Sequence, residues 1–203
     1  MDIEQPSDRA QTHSGSGQIL TIGHSNHPLE VFLRLLGGQR VDVLADVRSA
    51  PHSRFNPQFN REPLAATLSR NGIEYMYFGA ELGGRPKDPA CYEDGRVCYR
   101  RVAETRSFRE GIAQVLDAAA QHRVVLMCAE REPLDCHRTL LVAPALDAQG
   151  VEVQHILADG TLENQADAMS RLLEQHHLAP EGDLLATREQ SIAAAIAHRQ
   201  SNP

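Results

Sequence analysis

The sequence predicts an α/β fold: a single domain with a five-stranded, mainly parallel sheet, helices on both faces, and a C-terminal helical extension. Three observations carry this. Val124 to Met127 is an unbroken apolar run of strand length, as expected for a strand covered on both faces. Similar runs recur along the chain, separated by segments with apolar residues at helical spacing. The runs end in polar or reactive side chains, as parallel strands do where they leave a sheet toward a ligand.

The elements follow in order. Residues 1–17 are polar and read as a disordered leader. The domain is expected over residues 18–176. Its first strand begins at Ile19 to Ile22 and ends in Gly23-His24-Ser25. Leu29, Phe32, Leu33 and Leu36 have helical spacing, and Gly37-Gly38 stops that helix. Val41 to Val47 is the second strand, closing in Asp46, Arg48 and Ser49. A loop follows, then a short helix with Leu64 and Leu68 on one face. Ile73 to Phe78 is the third strand. Residues 79–100 form a long loop, with Gly83-Gly84-Arg85-Pro86 and two cysteines. Such loops are functional or mobile. Ser107 and Glu110 make a capping-box pattern before the next helix. The fourth strand is Val124 to Met127. Its helix, residues 136–149, contains Pro144, which predicts a kink. Val151 to Leu157 is the fifth strand. A helix over residues 162–176 follows, and Pro180 to Gly182 breaks it. The tail, residues 177–203, holds an Ala-rich helix over 187–199, with Ile192 and Ile196 as a weak apolar face.

Composition narrows the class. Hydrophobic residues make up 41% of the 203, aromatics 4%, and Trp is missing, so one mainly aliphatic core is implied. The net charge of −7 weighs against a nucleic-acid coat but allows a local basic site. Residues 47–61 provide one, with Arg48, Arg54 and Arg61 and no Asp or Glu. No run reaches membrane-spanning length and no signal peptide is visible. The expected location is cytoplasmic, with no membrane partner. Without a CxxC pair, the four cysteines are expected as reduced thiols.

Parallel topology brings several groups to one rim: His24 and Ser25, Asp46 and Arg48, Cys128 and Glu130, then Cys136, His137 and Arg138. Arg48, Arg54 and Arg138 are the candidates to clamp an anion, with His24, Ser25 and His137 beside them. The alternative for Arg48 and Arg138 is internal pairing, with Asp46 and Glu130. Cys128 is a candidate nucleophile, with Glu130 or Asp46 as acid or base. A small apolar filler is its other reading. Cys128, Cys136, His137 and His24 have zinc-ligand chemistry, but Cys-x7-Cys-His is not a usual knuckle. No metal and no cofactor are therefore expected. His155 either reaches the same rim or is a hydrogen-bonded structural histidine.

Five motifs in order resemble a known family. They are Thr21-Ile22-Gly23-His24-Ser25, Asp46-Val47-Arg48-Ser49-x-Pro51, Leu82-Gly83-Gly84, Cys128-Ala129-Glu130 with Cys136-His137-Arg138, and His155-Ile156-Leu157-x-Asp159-Gly160. The family is a bacterial group known as domain of unknown function four-eight-eight. The resemblance spans about Gln18 to Leu173. It implies an α/β domain and names no activity.

The expected function is an enzyme acting on a phosphate-bearing small molecule, nucleotide or nucleic-acid end. An anionic small molecule or nucleotide is the expected partner, with nucleic acid less favoured. The alternative is a non-catalytic nucleotide- or nucleic-acid-binding module acting through a partner.

Overall fold

The computed structural model describes residues 17–178 and 186–201. The expected leader, apart from Gly17, and the expected break at Pro180 lie outside them.

A central sheet has the order β3-β2-β6-β1-β7-β8. Its strands are β1 (Gln18–Gly23), β2 (Val43–Asp46), β3 (Glu74–Tyr77), β6 (Val124–Cys128), β7 (Glu152–Ile156) and β8 (Leu162–Asn164). The first five pair in parallel. β8 pairs antiparallel with β7. The sheet thus has six strands where the sequence predicts five. The sixth is three residues long, and its burial is only partial. The Asp159-Gly160 turn makes it, with Gly160 at φ 89° and Asp159 Oδ1 accepting from Thr161 N–H at 3.0 Å.

Burial alternates along the strands and builds two cores. Leu20, Ile22, Leu44, Val125 and Met127 face α1 (Leu29–Gly38) and α2 (Arg61–Arg70) through Phe32, Leu36, Leu64 and Leu68. Ile19, Val43, Ala45, Val124 and Leu126 face α4 (Arg106–Ala119) through Phe108, Ile112 and Val115. The long loop carries a small hairpin, β4 (Tyr92–Glu93) with β5 (Arg96–Val97), and then α3 (Tyr99–Ala103).

The helix expected over residues 136–149 is divided. A 3₁₀ turn, Pro133–Asp135, precedes it. Arg138–Val142 is a π turn, closed by Ala143 N–H donating to Arg138 O. Only Ala143–Asp147, α5, is α-helical. Pro144 is the second residue of α5, which continues directly from the π turn, so its ring and missing N–H act on the preceding turn. The distortion lies in the turn just before the proline, where the expected kink falls. α6 (Gln165–Gln175) and α7 (Arg188–Ser201) complete the chain. α7 buries Ala195 against Leu134, Leu140, Met169 and Leu172, a third core cluster. Among the described residues no helix is long and apolar enough to cross a membrane.

His155 is fully buried and structural in its contacts. Its ring lies 2.8 Å from Gln165 Oε1 through Nε2 and 2.8 Å from Thr21 Oγ1 through Nδ1. An amide oxygen only accepts, so Nε2 holds the proton and Nδ1 accepts from the hydroxyl. Burial pushes its pKa from 6.5 down to about 4, and the Arg138 cation works in the same direction. The unfolded chain therefore takes up a proton between pH 6.5 and 4 that the native state refuses. This part of the stability is full above pH 6.5 and is lost as pH falls toward 4. It amounts to roughly 3 kcal/mol. Urea midpoints measured from pH 7 to 4 should fall accordingly. The slope should be shallower in His155→Gln. An equal slope in both proteins would contradict this.

Candidate functional site

β1 sends the chain to α1 on one face of the sheet, while the neighbouring β6 sends it toward α5 on the other. The two exits part at the carboxyl end of the sheet, which is where open α/β sheets bind ligands. β2 leaves beside β6, with Asp46 paired to Met127. The rim expected from parallel topology is therefore present.

Cys128 ends β6. The chain then turns through Ala129–Glu132 and the Pro133–Asp135 turn and returns with Cys136 and His137. Glu132 accepts from Leu134 N–H at 3.2 Å and so caps the turn. Asp135 pairs with Arg199 of α7. The result brings Cys128, Glu130, Cys136 and His137 together, with one donor atom from each lying within 4.8 Å of all the others. Both sulfurs lie against one carboxylate oxygen: Cys128 Sγ is 2.9 Å and Cys136 Sγ 3.0 Å from Glu130 Oε2. His137 Nδ1 lies 3.6 Å from Cys128 Sγ and 3.9 Å from Cys136 Sγ. Its Nε2 is 3.0 Å from Val47 O. A carbonyl only accepts, so Nε2 is protonated and Nδ1 turns a lone pair toward the sulfurs. Cys128, Cys136 and His137 are buried; Glu130 stands at the surface with its carboxylate turned in. This donor set has the chemistry to hold a metal ion.

The electrostatics separate the two thiols. Burial pushes Cys128 up, helped by the hydrogen bond and charge of Cys136 and by Glu130. Burial alone would raise Cys136 too, but the Cys128 hydrogen bond, the Arg138 cation and His137 outweigh it and hold Cys136 low. Glu130 is raised by burial of its carboxyl and by the charge of Cys136.

The arginines expected to clamp a ligand are placed differently. Arg48 is 5% exposed. Its Nε and NH2 grip Asp46 at 2.9 and 2.6 Å, NH2 also donates to Phe59 O at 2.8 Å, and NH1 donates to His24 Nε2 at 3.0 Å. Asp46 in turn accepts from Tyr75 OH at 2.7 Å. Asp46 and Arg48 thus form the internal pair, with His24 stacked on Phe59 at 4.5 Å. Arg138 is fully buried and donates to the carbonyls of Glu130 and Arg131 at 2.7 and 3.2 Å. It holds the backbone of the loop, not the Glu130 carboxylate. Arg54 stays exposed, 4.6 Å over the Phe55 ring. Ser25 lies at the rim, where Arg131 reaches its Oγ at 3.3 Å.

The family model described as Domain of unknown function DUF488 matches residues 28–144, more than half of the chain. The chain belongs to the DUF488 family. The matched span of this DUF488 protein includes the β2 exit and all four clustered donors, and leaves out β1, β7 and α7. No curated protein and no solved structure matches the chain.

Some residues of this DUF488 site escape sequence reasoning. A Cβ on Gly84 would lie 2.8 Å from the His137 ring, so the loop backbone packs directly on that ring. The Gly83-Gly84 pair was the available signal. Beyond Gly84 opens a cleft of about 680 Å³, lined by Arg85, Arg96, Tyr99, Leu134, Asp135 and Arg199 among others. These residues come from segments far apart in sequence and carry no shared motif.

Proposed function

We propose that this DUF488 protein is an enzyme acting on a phosphate-bearing small molecule or nucleotide. The reacting group meets the Cys128–Glu130–Cys136–His137 centre, and the phosphate rests on Arg85 and Arg96. One observation carries this reading: the 680 Å³ cleft shares a wall with the centre, because Gly84 lines the cleft and packs on His137. Arg85 and Arg96 are exposed in that cleft, and among the described residues no carboxylate pairs with either. Two guanidinium forks match phosphate geometry. They replace Arg48 and Arg138 in the role expected from the sequence.

The test is a thermal-shift and calorimetric series with inorganic phosphate, pyrophosphate and nucleoside mono-, di- and triphosphates. Each charged contact is worth about 1.5–3 kcal/mol. The Arg85→Ala and Arg96→Ala variants should each bind about 10-fold or more weakly. Both should keep the wild-type unfolding midpoint without ligand, since neither residue is buried. A wild type indifferent to every anion in the series would defeat the proposal.

A second reading, a non-catalytic nucleic-acid-binding module, has one observation in its favour. Phe55 is 77% exposed, with the Arg54 guanidinium over its face. An exposed ring beside a cation is the kind of platform on which single-stranded bases stack. Steeply salt-dependent binding of single strands, lost in Phe55→Ala, would favour it.

A further inference from the structure

We infer that Cys128, Glu130, Cys136 and His137 bind one zinc-class divalent cation, and that this ion is the reacting centre of the site. The identity of the site as catalytic rests on the reading above; the metal itself does not.

The first argument is counting. The four donor atoms make four close contacts, two thiols to the carboxylate and two thiols to the imidazole nitrogen. Two thiols carry only two protons, and S–H is a weak donor. Weak hydrogen bonds therefore do not explain why the fold gathers all four groups. One cation at their centre takes a lone pair from each of the four donor atoms at once.

The second argument is geometric. Zinc holds sulfur at about 2.3 Å and nitrogen at about 2.0–2.1 Å in a tetrahedron, which places neighbouring donors roughly 3.3–3.8 Å apart. The sulfur-to-nitrogen distances, 3.6 and 3.9 Å, already lie near that edge. The carboxylate oxygen is closer to both sulfurs, at 2.9 and 3.0 Å, and needs only a small outward movement. It belongs to the one exposed residue of the four.

The third argument is the orientation of His137. Metal-bound histidines donate their second ring N–H to a carbonyl or carboxylate, which fixes the tautomer. Val47 O does this at 3.0 Å, and Gly84 presses on the ring face. The lone pair is thereby aimed before any ion arrives.

The fourth is charge. Two thiolates, a carboxylate and a divalent ion sum to one negative charge. Arg138, fully buried, follows His137 directly and acts on Cys136 through its charge. Among the described residues no carboxylate pairs with it, and its Nε has no partner. A buried cation needs a countercharge, and a net-negative metal centre is one.

Three buried ligands and one exposed carboxylate leave a position that opens outward. A second cleft, about 630 Å³ and lined by Glu130, Arg131, Pro133 and Leu157 among others, meets that side and shares Asp135 with the arginine cleft. An oxygen of water or substrate takes the place of Glu130 on the ion, which then acts as a Lewis acid.

The test uses the full-length protein, stripped with chelator and reloaded with Zn²⁺ or Co²⁺ alone. One ion per chain is expected, and the cobalt form should show thiolate charge-transfer bands and the intense visible bands of a tetrahedral site. Cys136→Ser should weaken binding at least about 100-fold, beyond the roughly 10–100-fold worth of outer partners. Glu130→Gln, at an exposed position, should fold normally, retain the thiolate bands, and bind about 10-fold or more weakly. Sub-stoichiometric metal in the wild type, or unchanged affinity in Glu130→Gln together with Cys136→Ser, would overturn the inference. Phosphate-induced thermal shifts in stripped protein report the arginine cleft separately. A failed metal site and a failed anion site are therefore told apart.

Discussion

Asp46→Ala is expected to cost about 3–5 kcal/mol, the loss seen when one member of a buried ion pair is removed. Asp46 is fully buried and accepts from Arg48 N, Nε and NH2 and from Tyr75 OH. Its removal leaves a guanidinium 5% exposed without countercharge, the most expensive arrangement available in a core. Because whole-domain stability is only about 5–15 kcal/mol, the loss would be visible in any melt. Arg48→Lys should cost less, about 1–3 kcal/mol, since the charge stays but the two-pronged grip goes. Replacing both partners with apolar residues, Asp46→Leu with Arg48→Met, should recover a good part of the single-mutant loss. A urea melt of Asp46→Ala within about 1 kcal/mol of wild type would show that the pair is not structural. If catalysis fell while stability held, Asp46 would return to the reacting groups.

Gly23→Ala is the second large effect, expected at about 3 kcal/mol or more. A Cβ there would stand 1.8 Å from Glu130 O and 3.2 Å from Arg138 NH1. Overfilling a packed core costs about 1–3 kcal/mol even when side chains give way, and here the obstacle is backbone. The carbonyl it strikes is the one that Arg138 holds at 2.7 Å. Relief therefore requires moving the loop that carries Glu130. Two readouts should change together: the unfolding midpoint drops, and metal affinity falls with the displaced carboxylate. A folded Gly23→Ala protein with wild-type midpoint and wild-type metal binding would refute the close approach.

Both effects bear on what the sequence made legible. The parallel strands were readable to within two residues at each end, because strands covered in a parallel sheet are near-continuous apolar runs. β8 was not. Leu162-Glu163-Asn164 is too short and too exposed to show a period, and only its pairing with β7 makes it a strand. Pro144 signalled a distortion of this helix, but not that it would take the form of a π turn over Arg138–Val142. Cys128, Glu130, Cys136 and His137 were all identifiable as reactive groups beside a strand end. Their convergence was hidden by the seven residues between the cysteines, which the Pro133–Asp135 turn takes up. The direction of Arg48 and Arg138 was hidden for a different reason. Their acceptors include backbone carbonyls of Phe59, Glu130 and Arg131, and nothing in residue type tells which carbonyls the fold will bring near.

The position of β1 has a consequence for the birth of the molecule. β1 occupies the interior of the sheet, yet its neighbours are β6 and β7, which begin at Val124 and Glu152. It is the first of these strands to be made and waits longest for a partner. Of the central sheet, only β2 and β3 can pair before β6 is made. At roughly 5–20 residues per second, about 5–20 s pass before β6 follows β1 out of the polymerising machinery. Through that interval the apolar Ile19-Leu20-Thr21-Ile22 stretch has neither edge covered, and pairings of such long sequence separation are the slow step of folding. Closure comes with β6, the strand that also delivers Cys128. The reactive centre therefore arises in the same event that joins β1 to β2 and β3, with β7 and β8 added afterwards.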